Sequence, residues 1–233
     1  MTKKLRVDVW SDIACPWCYV GKRRFEAALA RFEHRDEVEV VWRSFELDPS
    51  APKTLPEPVD YAGRLAKKYG TTTAQAAEMI RNMAATAAKD GLTMRFDKAR
   101  PGNTFDAHRL LHLAKSRGLQ DAVKERFFRA YQCEGEAIGD HETLARLAVE
   151  AGLERDEVRA VLAGDAWADE VRADEEEARL NGIRGVPFFV FAERYAVSGA
   201  HPAESLAKVL AEAWQKSVTD LPDGAVCGPD GCA

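Results

Sequence analysis

No stretch of this chain approaches the roughly 18 consecutive apolar residues that a membrane-spanning helix requires, so no membrane partner is expected. Charge of one sign is also lacking. The 33 Lys and Arg stand against 38 Asp and Glu, a formal net charge of −5, whereas a nucleic-acid-binding face needs a basic excess. There is no repeat of fixed period and no low-complexity tract, which removes solenoids and propellers. A secretory signal needs an apolar stretch where Thr2-Lys3-Lys4-Leu5-Arg6-Val7-Asp8 places charges, so a cytoplasmic location is expected. Cysteine is scarce, five in 233 residues. A chain of this length buries about 70% of its unfolded surface without cross-links, so disulfides are not needed for folding. In a reducing compartment, close cysteine pairs are more often catalytic, redox-sensing or metal-binding than structural.

The five cysteines fall into three groups. Cys15 and Cys18 form a C-P-W-C pair, Cys133 stands alone, and Cys227 and Cys232 enclose Gly228-Pro229-Asp230-Gly231. Ahead of the first pair, Leu5–Trp10 alternates apolar and polar residues as a strand does. After it, Val20, Phe25, Ala28 and Leu29 recur at helical spacing between Trp17 and Arg31. Val38–Leu47 reads as a second strand, ended by Asp48-Pro49-Ser50-Ala51-Pro52. From Tyr61 to about Asn181 the pattern is helical, with room for about six helices. Thr104 or Asp106, Asp140 or Thr143, and Asp156 are candidate caps there. Strand character returns at Val186–Phe191 and Tyr195–Val197, followed by an amphipathic helix from about Ala203 to Gln215 and a segment, Thr219–Ala233, that reads as a flexible tail.

Neither strand-rich end has enough strands to be stable alone. Both are therefore expected in one sheet, with residues 1–56 and 182–216 forming a thioredoxin-like α/β domain. Residues 57–181 are then an inserted helical domain, and 217–233 a tail carrying the second cysteine pair. A sheet flanked by helices, with C-x-x-C at the first strand-to-helix turn, is the thioredoxin arrangement.

The chemistry follows from that placement. A cysteine at the start of a helix faces unpaired backbone N–H groups and the positive end of the helix dipole, which favour the nucleophilic thiolate. Cys15 is expected in that position, with Cys18 one turn on to resolve a mixed disulfide. Pro16 presets φ in the first turn, and Trp17 offers a flat apolar surface to substrate. A C-x-x-C can instead be half of a zinc site, with Cys227 and Cys232 as the other half. Their spacing is wider than in most zinc knuckles, and no metal is expected. A proline heading the β run Gly185-Val186-Pro187-Phe188 is allowed at a strand start, an edge or a bulge. In a thioredoxin frame a cis-proline loop faces the C-x-x-C, so the Val186 backbone could pair with a substrate strand and contact Cys15.

The run Trp10-Ser11-Asp12-Ile13-Ala14-Cys15-Pro16-Trp17-Cys18-Tyr19-Val20-Gly21, with Phe45-Glu46-Leu47, Asn103-Thr104, Ala107-His108 and Gly182-Ile183-Arg184-Gly185-Val186-Pro187-Phe188-Phe189, resembles the DsbA family. Within it the sequence is most similar to FrnE-like proteins related to 2-hydroxychromene-2-carboxylate isomerase, over about residues 5–215. The resemblance implies a thioredoxin fold with an inserted helical domain and thiol-disulfide exchange. FrnE-like proteins can carry a second, C-terminal cysteine pair, which Cys227 and Cys232 match. The glutathione-using isomerase branch typically has serine at the position of Cys15, so the dithiol here shifts weight toward disulfide exchange.

Other residues carry weaker expectations. Cys227 and Cys232 could relay electrons to the first pair or be an exposed pair that oxidises incidentally. Cys133 reads as a buried small hydrophobe. His108 and His112, four apart, could hold metal but lack a third ligand; His108 could instead face an interdomain groove with Asn103 and Thr104 and bind substrate. Glu46 is a candidate proton shuttle to Cys18, or a rim partner of Arg43. The acidic run Asp165–Glu177 reads as a solvated helix face, with Trp167 in the core. The expected activity is thiol-disulfide exchange or disulfide isomerisation on protein substrates. No tightly bound cofactor is expected, and the expected reductant is a thioredoxin-like protein or glutathione. The alternatives are a glutathione-dependent isomerase or transferase of small aromatics and a redox-independent chaperone for unfolded chains.

Overall fold

The computed structural model describes residues 4–55 and 59–219. Cys227, Cys232 and most of the expected tail lie outside the described residues. Strand β1 (Leu5–Ser11) leads into helix α1 (Pro16–Ala30) and strand β2 (Val38–Ser44). Seven helices follow among the described residues: α2 (Tyr61–Tyr69), α3 (Thr73–Lys89), α4 (Phe105–Ser116), α5 (Gln120–Arg129), α6 (His141–Glu150), α7 (Arg155–Ala163) and α8 (Ala168–Leu180). The chain then returns to the sheet as β3 (Phe188–Phe191) and β4 (Tyr195–Ser198) and closes with α9 (Ala203–Thr219). The strand order is β2-β1-β3-β4, with β1 parallel to β2 and antiparallel to β3. Both ends of the chain thus share one mixed sheet.

Burial explains the elements. β1 is central, and Val7, Val9 and Trp10 are buried together with Asp8, whose carboxylate is clamped by Arg6 and Arg43. One face of the sheet packs on α1 and α9 through Val7, Val9, Phe25, Phe189, Phe191, Leu206 and Leu210. The helices between β2 and β3 have their own core around Leu110, Phe127, Ile138, Leu144 and Leu147. A further cluster joins the two parts: Cys15, Cys18, Tyr19 and Val20 of the first helix region against Met83, Ala87, Leu92, Met94 and Phe128.

Buried hydrogen bonds lock the helical part to the frame, since a polar group removed from water needs a partner. The Gln120 side chain bonds both the N–H and the C=O of Trp42, at 3.1 and 2.9 Å. Gln132 donates to the Ile13 carbonyl at 2.9 Å. Asp174 accepts from the Ser44 N–H and from Arg43, at 2.8 and 2.7 Å.

Several expectations are corrected. β2 ends at Ser44 rather than Leu47, because the Leu47 N–H turns away to Asp12 at 2.8 Å. β3 starts at Phe188, after Pro187, which has no N–H to give a ladder. α9 runs on to Thr219, past Gln215 and into the expected tail. Among the described residues the middle of the chain holds seven α-helices, against the expected number of about six. Asp174 lies in the acidic run read as a solvated face, yet it is buried because Arg43, His112 and the Ser44 N–H converge on it. Trp167 is only partly buried against the helical core, with φ of 68° ahead of α8. The capping expectation holds at Asp140, whose side chain accepts from the Thr143 N–H at 2.8 Å. At α4 the Phe105 N–H is taken by Asn103, at 2.9 Å, while Thr104 makes no capping bond.

Candidate active site

The C-P-W-C segment sits where β1 turns into α1. Cys15 is the N-cap and Pro16 the first helical residue, so the turn-opening N–H that proline lacks costs nothing. The Cys15 N–H donates to the Asp12 carbonyl and the Cys18 N–H to the Cys15 carbonyl, each at 3.1 Å. Both sulfurs are free thiols. Cys15 is nearly covered and Cys18 fully so, while Trp17 between them is 44% exposed. The Val186–Pro187 bond is cis, and the Cys15 thiol lies 3.5 Å from the Val186 carbonyl. Gly21 makes this approach possible: a Cβ there would stand 2.9 Å from Pro187 Cγ, so a larger residue would push α1 off the proline loop.

Beneath the cysteines lies a buried polar floor. Asp12 is buried and accepts from the N–H groups of Leu47 and Ala14, at 2.8 and 3.2 Å. His108 Nε2 stands 3.5 Å from Asp12 Oδ1, an ion-pair separation without the alignment of a hydrogen bond. Burial pushes the Asp12 carboxyl up, but His108 and the two backbone N–H groups together hold it below the usual range. The same burial drives His108 down against the pull of Asp12. Lys124 of α5 is fully buried. Its ammonium is 3.4 Å from the Ser11 carbonyl and 5.0 and 5.7 Å from the ring centres of Phe128 and Trp42. Burial lowers it to about 8, against the opposing charges of Cys18, Asp12 and Cys15. Burial and the neighbouring Cys15 raise the Cys18 thiol well above its ordinary value, with a backbone hydrogen bond at Asp12 and then the charge of Lys124 acting the other way.

A cleft of about 560 Å³ opens beside this turn. Its lining includes Asp12, Asp48, Thr104 and Tyr131, together with Tyr61, Arg64, Leu65, Lys67 and Lys68 of α2. Burial, and then the charge of Cys15, raise the Tyr61 hydroxyl to about 12.

The other residues singled out from the sequence are spread around this centre. Trp17, Val186 and Pro187 gather at Cys15. His108 is fully buried against Asp12, beneath the site rather than on a groove surface. Asn103 is half-buried and donates to Glu46 at 3.1 Å. Glu46 is buried and pairs with Arg172 at 2.7 Å, not with Arg43, whose partners are Asp8, Asp174 and Glu177. Burial raises the Glu46 carboxyl to about 7, with Glu175 adding to the effect and Arg172 opposing it. Cys133 is half-buried rather than buried, in an irregular helical turn packed against the cysteine cluster. His112 pairs with Asp174 at 3.1 Å, and no group of three metal-ligating side chains occurs among the described residues. No helix of the described residues is long and apolar enough to cross a membrane.

Lys124 was not picked out in the sequence, although a signal exists. It shares one helix face with Gln120, Phe127 and Phe128 at spacings of four and three, all of them buried, so its position is that of a core residue.

Comparison with known proteins agrees with the geometry. The model of a family described as a DSBA-like thioredoxin domain matches residues 6–211. The crystal structure of a probable DsbA oxidoreductase from Streptomyces coelicolor superposes with a TM-score of 0.87 at 51% identity, covering 98% of each chain. An uncharacterized protein, YwbO, of Bacillus subtilis is 30% identical over 214 residues, 91% of this chain and 98% of the relative. A 2-hydroxychromene-2-carboxylate isomerase shares the fold at 13% identity, with a TM-score of 0.62 and coverage of 92% of this chain and 98% of that one.

Proposed function

The chain belongs to the DSBA-like thioredoxin family, a family of oxidoreductases and isomerases, and from that premise we propose that it exchanges and isomerises protein disulfides through Cys15 and Cys18. The observation that carries the reading is the Cys15 thiol at the start of α1, 3.5 Å from the Val186 carbonyl beside Pro187. That contact sets the sulfur against the backbone a substrate strand would pair with. Cys15, the outer thiol, attacks a substrate disulfide; Cys18, fully buried one turn on, resolves the mixed disulfide. Exposed Trp17 supplies an apolar contact for an unfolded chain.

The cleft supports a reductant of small size and negative charge, glutathione being the chemical type, because Arg64, Lys67 and Lys68 contribute to its wall. A thioredoxin-like protein is the other candidate reductant. In a reducing cytoplasm the resting dithiol favours reduction and isomerisation over net oxidation. The pair Cys227 and Cys232 would serve as an accessory redox couple, which removal of residues 225–233 would reveal as a shifted reduction potential. The dithiol in place of serine disfavours isomerisation of small aromatics.

The test is refolding of a scrambled disulfide-containing protein by the wild type and by Cys15→Ser. Exchange is expected to fall to the uncatalysed rate in the variant; equal rates would overturn the reading. Suppression of aggregation that survives loss of both cysteines would support a chaperone instead.

A further inference from the structure

The cleft beside the cysteine turn is lined by charges of both signs, and only the negative ones are engaged. Asp12 is taken up by His108 and two backbone N–H groups. Asp48 accepts from the N–H and the hydroxyl of Ser50, at 3.2 and 2.7 Å. Arg64, Lys67 and Lys68 of α2 have no carboxylate at ion-pair distance among the described residues; Lys68 has the ring of its neighbour Tyr69, 6.0 Å away. Cations elsewhere in the molecule are answered. Arg23 pairs with Glu26 and Glu125, and Arg126 with Glu134 and Glu150.

Stability of the helix does not account for this arrangement. Tyr61, Arg64, Leu65 and Lys68 recur at spacings of three and four, so they share the face of α2 that borders the cleft. Arg64 and Lys68 repel each other on that face, at a small cost to the helix. Lys67 and Lys68 offset the dipole in the last turn. Arg64 lies near the helix start, where a cation is unfavourable.

A second observation points to a ligand. Tyr131, in the lining of the same cleft, is 4% exposed, and its hydroxyl has no hydrogen-bond partner among the described residues. A buried tyrosine hydroxyl ordinarily finds one. Its position is fixed through the next residue, since Gln132 donates to the Ile13 carbonyl of the cysteine turn at 2.9 Å. Three cations and an unpaired phenol form a donor set that suits a carboxylate.

The cleft also has the right reach. Its lining runs from Ala14, the residue before Cys15, to Lys68, and α2 covers about 10 Å between Tyr61 and Lys68. An extended chain advances about 3.3 Å per residue, so a substrate cysteine at Cys15 brings its near neighbours alongside these cations.

Resting on the exchange function above, we propose that this cleft is a specificity site for protein substrates whose reactive cysteine is flanked by Asp or Glu. Arg64, Lys67 and Lys68 supply the charge and Tyr131 a hydrogen bond. Glutathione offers the same chemistry, carboxylates on both sides of a thiol, and competes for the cleft. A longer chain gains what a tripeptide does not, the exposed Trp17 face and pairing along the Val186 backbone beside the same thiol.

The probes are two synthetic peptides, identical but for Glu or Gln on both sides of a single cysteine. Each cysteine is joined by a disulfide to a thiopyridine, an uncharged chromophore. Cys15 attacks the peptide sulfur and the electron pair of the broken bond leaves on the thiopyridine. Cys18 then displaces the peptide thiol, so the C-P-W-C dithiol is oxidised by two electrons and the probe disulfide is reduced to two thiols. At low salt the second-order rate of chromophore release is expected to be roughly fivefold higher for the Glu peptide, the effect of about one exposed ion pair. The advantage should vanish in 1 M salt, where the screening length is about 3 Å. It should also vanish when Arg64→Gln, Lys67→Gln and Lys68→Gln are combined. A Glu-to-Gln ratio near one in the wild type overturns the proposal, as does a ratio untouched by salt or by the triple variant. The salt comparison needs no variant and stands if the triple variant does not fold. Glutathione joined to the same chromophore separates the two sources: fast release from it, with a peptide ratio near one, assigns the cations to the small reductant alone and overturns the proposal. A wild type that releases nothing from any probe would instead overturn the exchange function itself, whereas equal release from both peptides removes only the selectivity.

Discussion

Lys22 and Lys124 face one indole ring from two helices, α1 and α5, and both are buried. Burial opposes the charge on each. At Lys22 the charges of Asp121, Glu26 and Glu125 overcome it and the ammonium is held above its ordinary value. At Lys124 burial wins, and the group drops to about 8. The first region is an ion cluster that staples α1 to α5, with Arg23 and Tyr19 on the same Glu125. The second is a cation buried against the Ser11 carbonyl and two aromatic rings, with no carboxylate at ion-pair distance among the described residues. A buried charge is structural where permanent partners hold it and a cost to stability where they do not.

The contrast can be broken by stability measurements. Lys124 has a folded value of about 8 against an ordinary 10.5. Between those values the unfolded chain holds a proton that the folded one does not, so this group makes stability rise with pH from about 8 to 10.5 and offers none of that gain below 8. Lys124→Met removes a desolvated charge and strands no carboxylate. Its urea midpoint at pH 7 is expected to match or exceed wild type, by as much as about 3 kcal/mol in stability, with the gap closing toward pH 10. A variant clearly less stable at pH 7 would place Lys124 in the structural class.

Lys22→Met should do the opposite, costing about 1 kcal/mol in the same assay. The loss is modest because Asp121 and Glu26 are 66% and 41% exposed and can rehydrate. Its disulfide exchange rate should stay at the wild-type level. A slowed rate would overturn the purely structural reading of Lys22.

The smallest expected effect is at Glu46, raised to about 7. The folded chain holds a proton there that the unfolded chain has lost, so its contribution is fully present below about 4.5 and disappears as pH rises through 7. Relative to Glu46→Gln, wild type should lose on the order of 1 kcal/mol between those limits, because exposed Arg172 lets water share the pair. A flat difference would show that Glu46 is ionised throughout.

Much of the frame could be read from local pattern. The alternation of Leu5–Trp10, the helical spacing after Cys15 and the return of strand character near Phe188 each depend on neighbours in sequence. Boundaries were missed where a distant group intervened: Asp12 draws the Leu47 N–H away from the sheet. The hairpin between β3 and β4 turns through Ala192 and Glu193, both at positive φ, although neither residue announces such a turn. Asp174 looked solvated because its helix is acidic, and only the approach of Arg43 and His112 across 131 and 62 positions of chain makes it a buried partner.

By itself the sequence determined the reactive unit. Two cysteines one helical turn apart, with proline between them and a strand before them, place a thiol at a helix start by local geometry alone. Only the tertiary structure decided what surrounds that unit. The Val186 carbonyl is 171 residues from Cys15 in the chain and 3.5 Å away in space. The buried floor of Asp12, His108 and Lys124 is assembled from a turn and two of the helices between β2 and β3. The charge state of each group there depends on how completely water is excluded and on which charges lie nearby, and both are properties of the packed fold rather than of any segment of the chain.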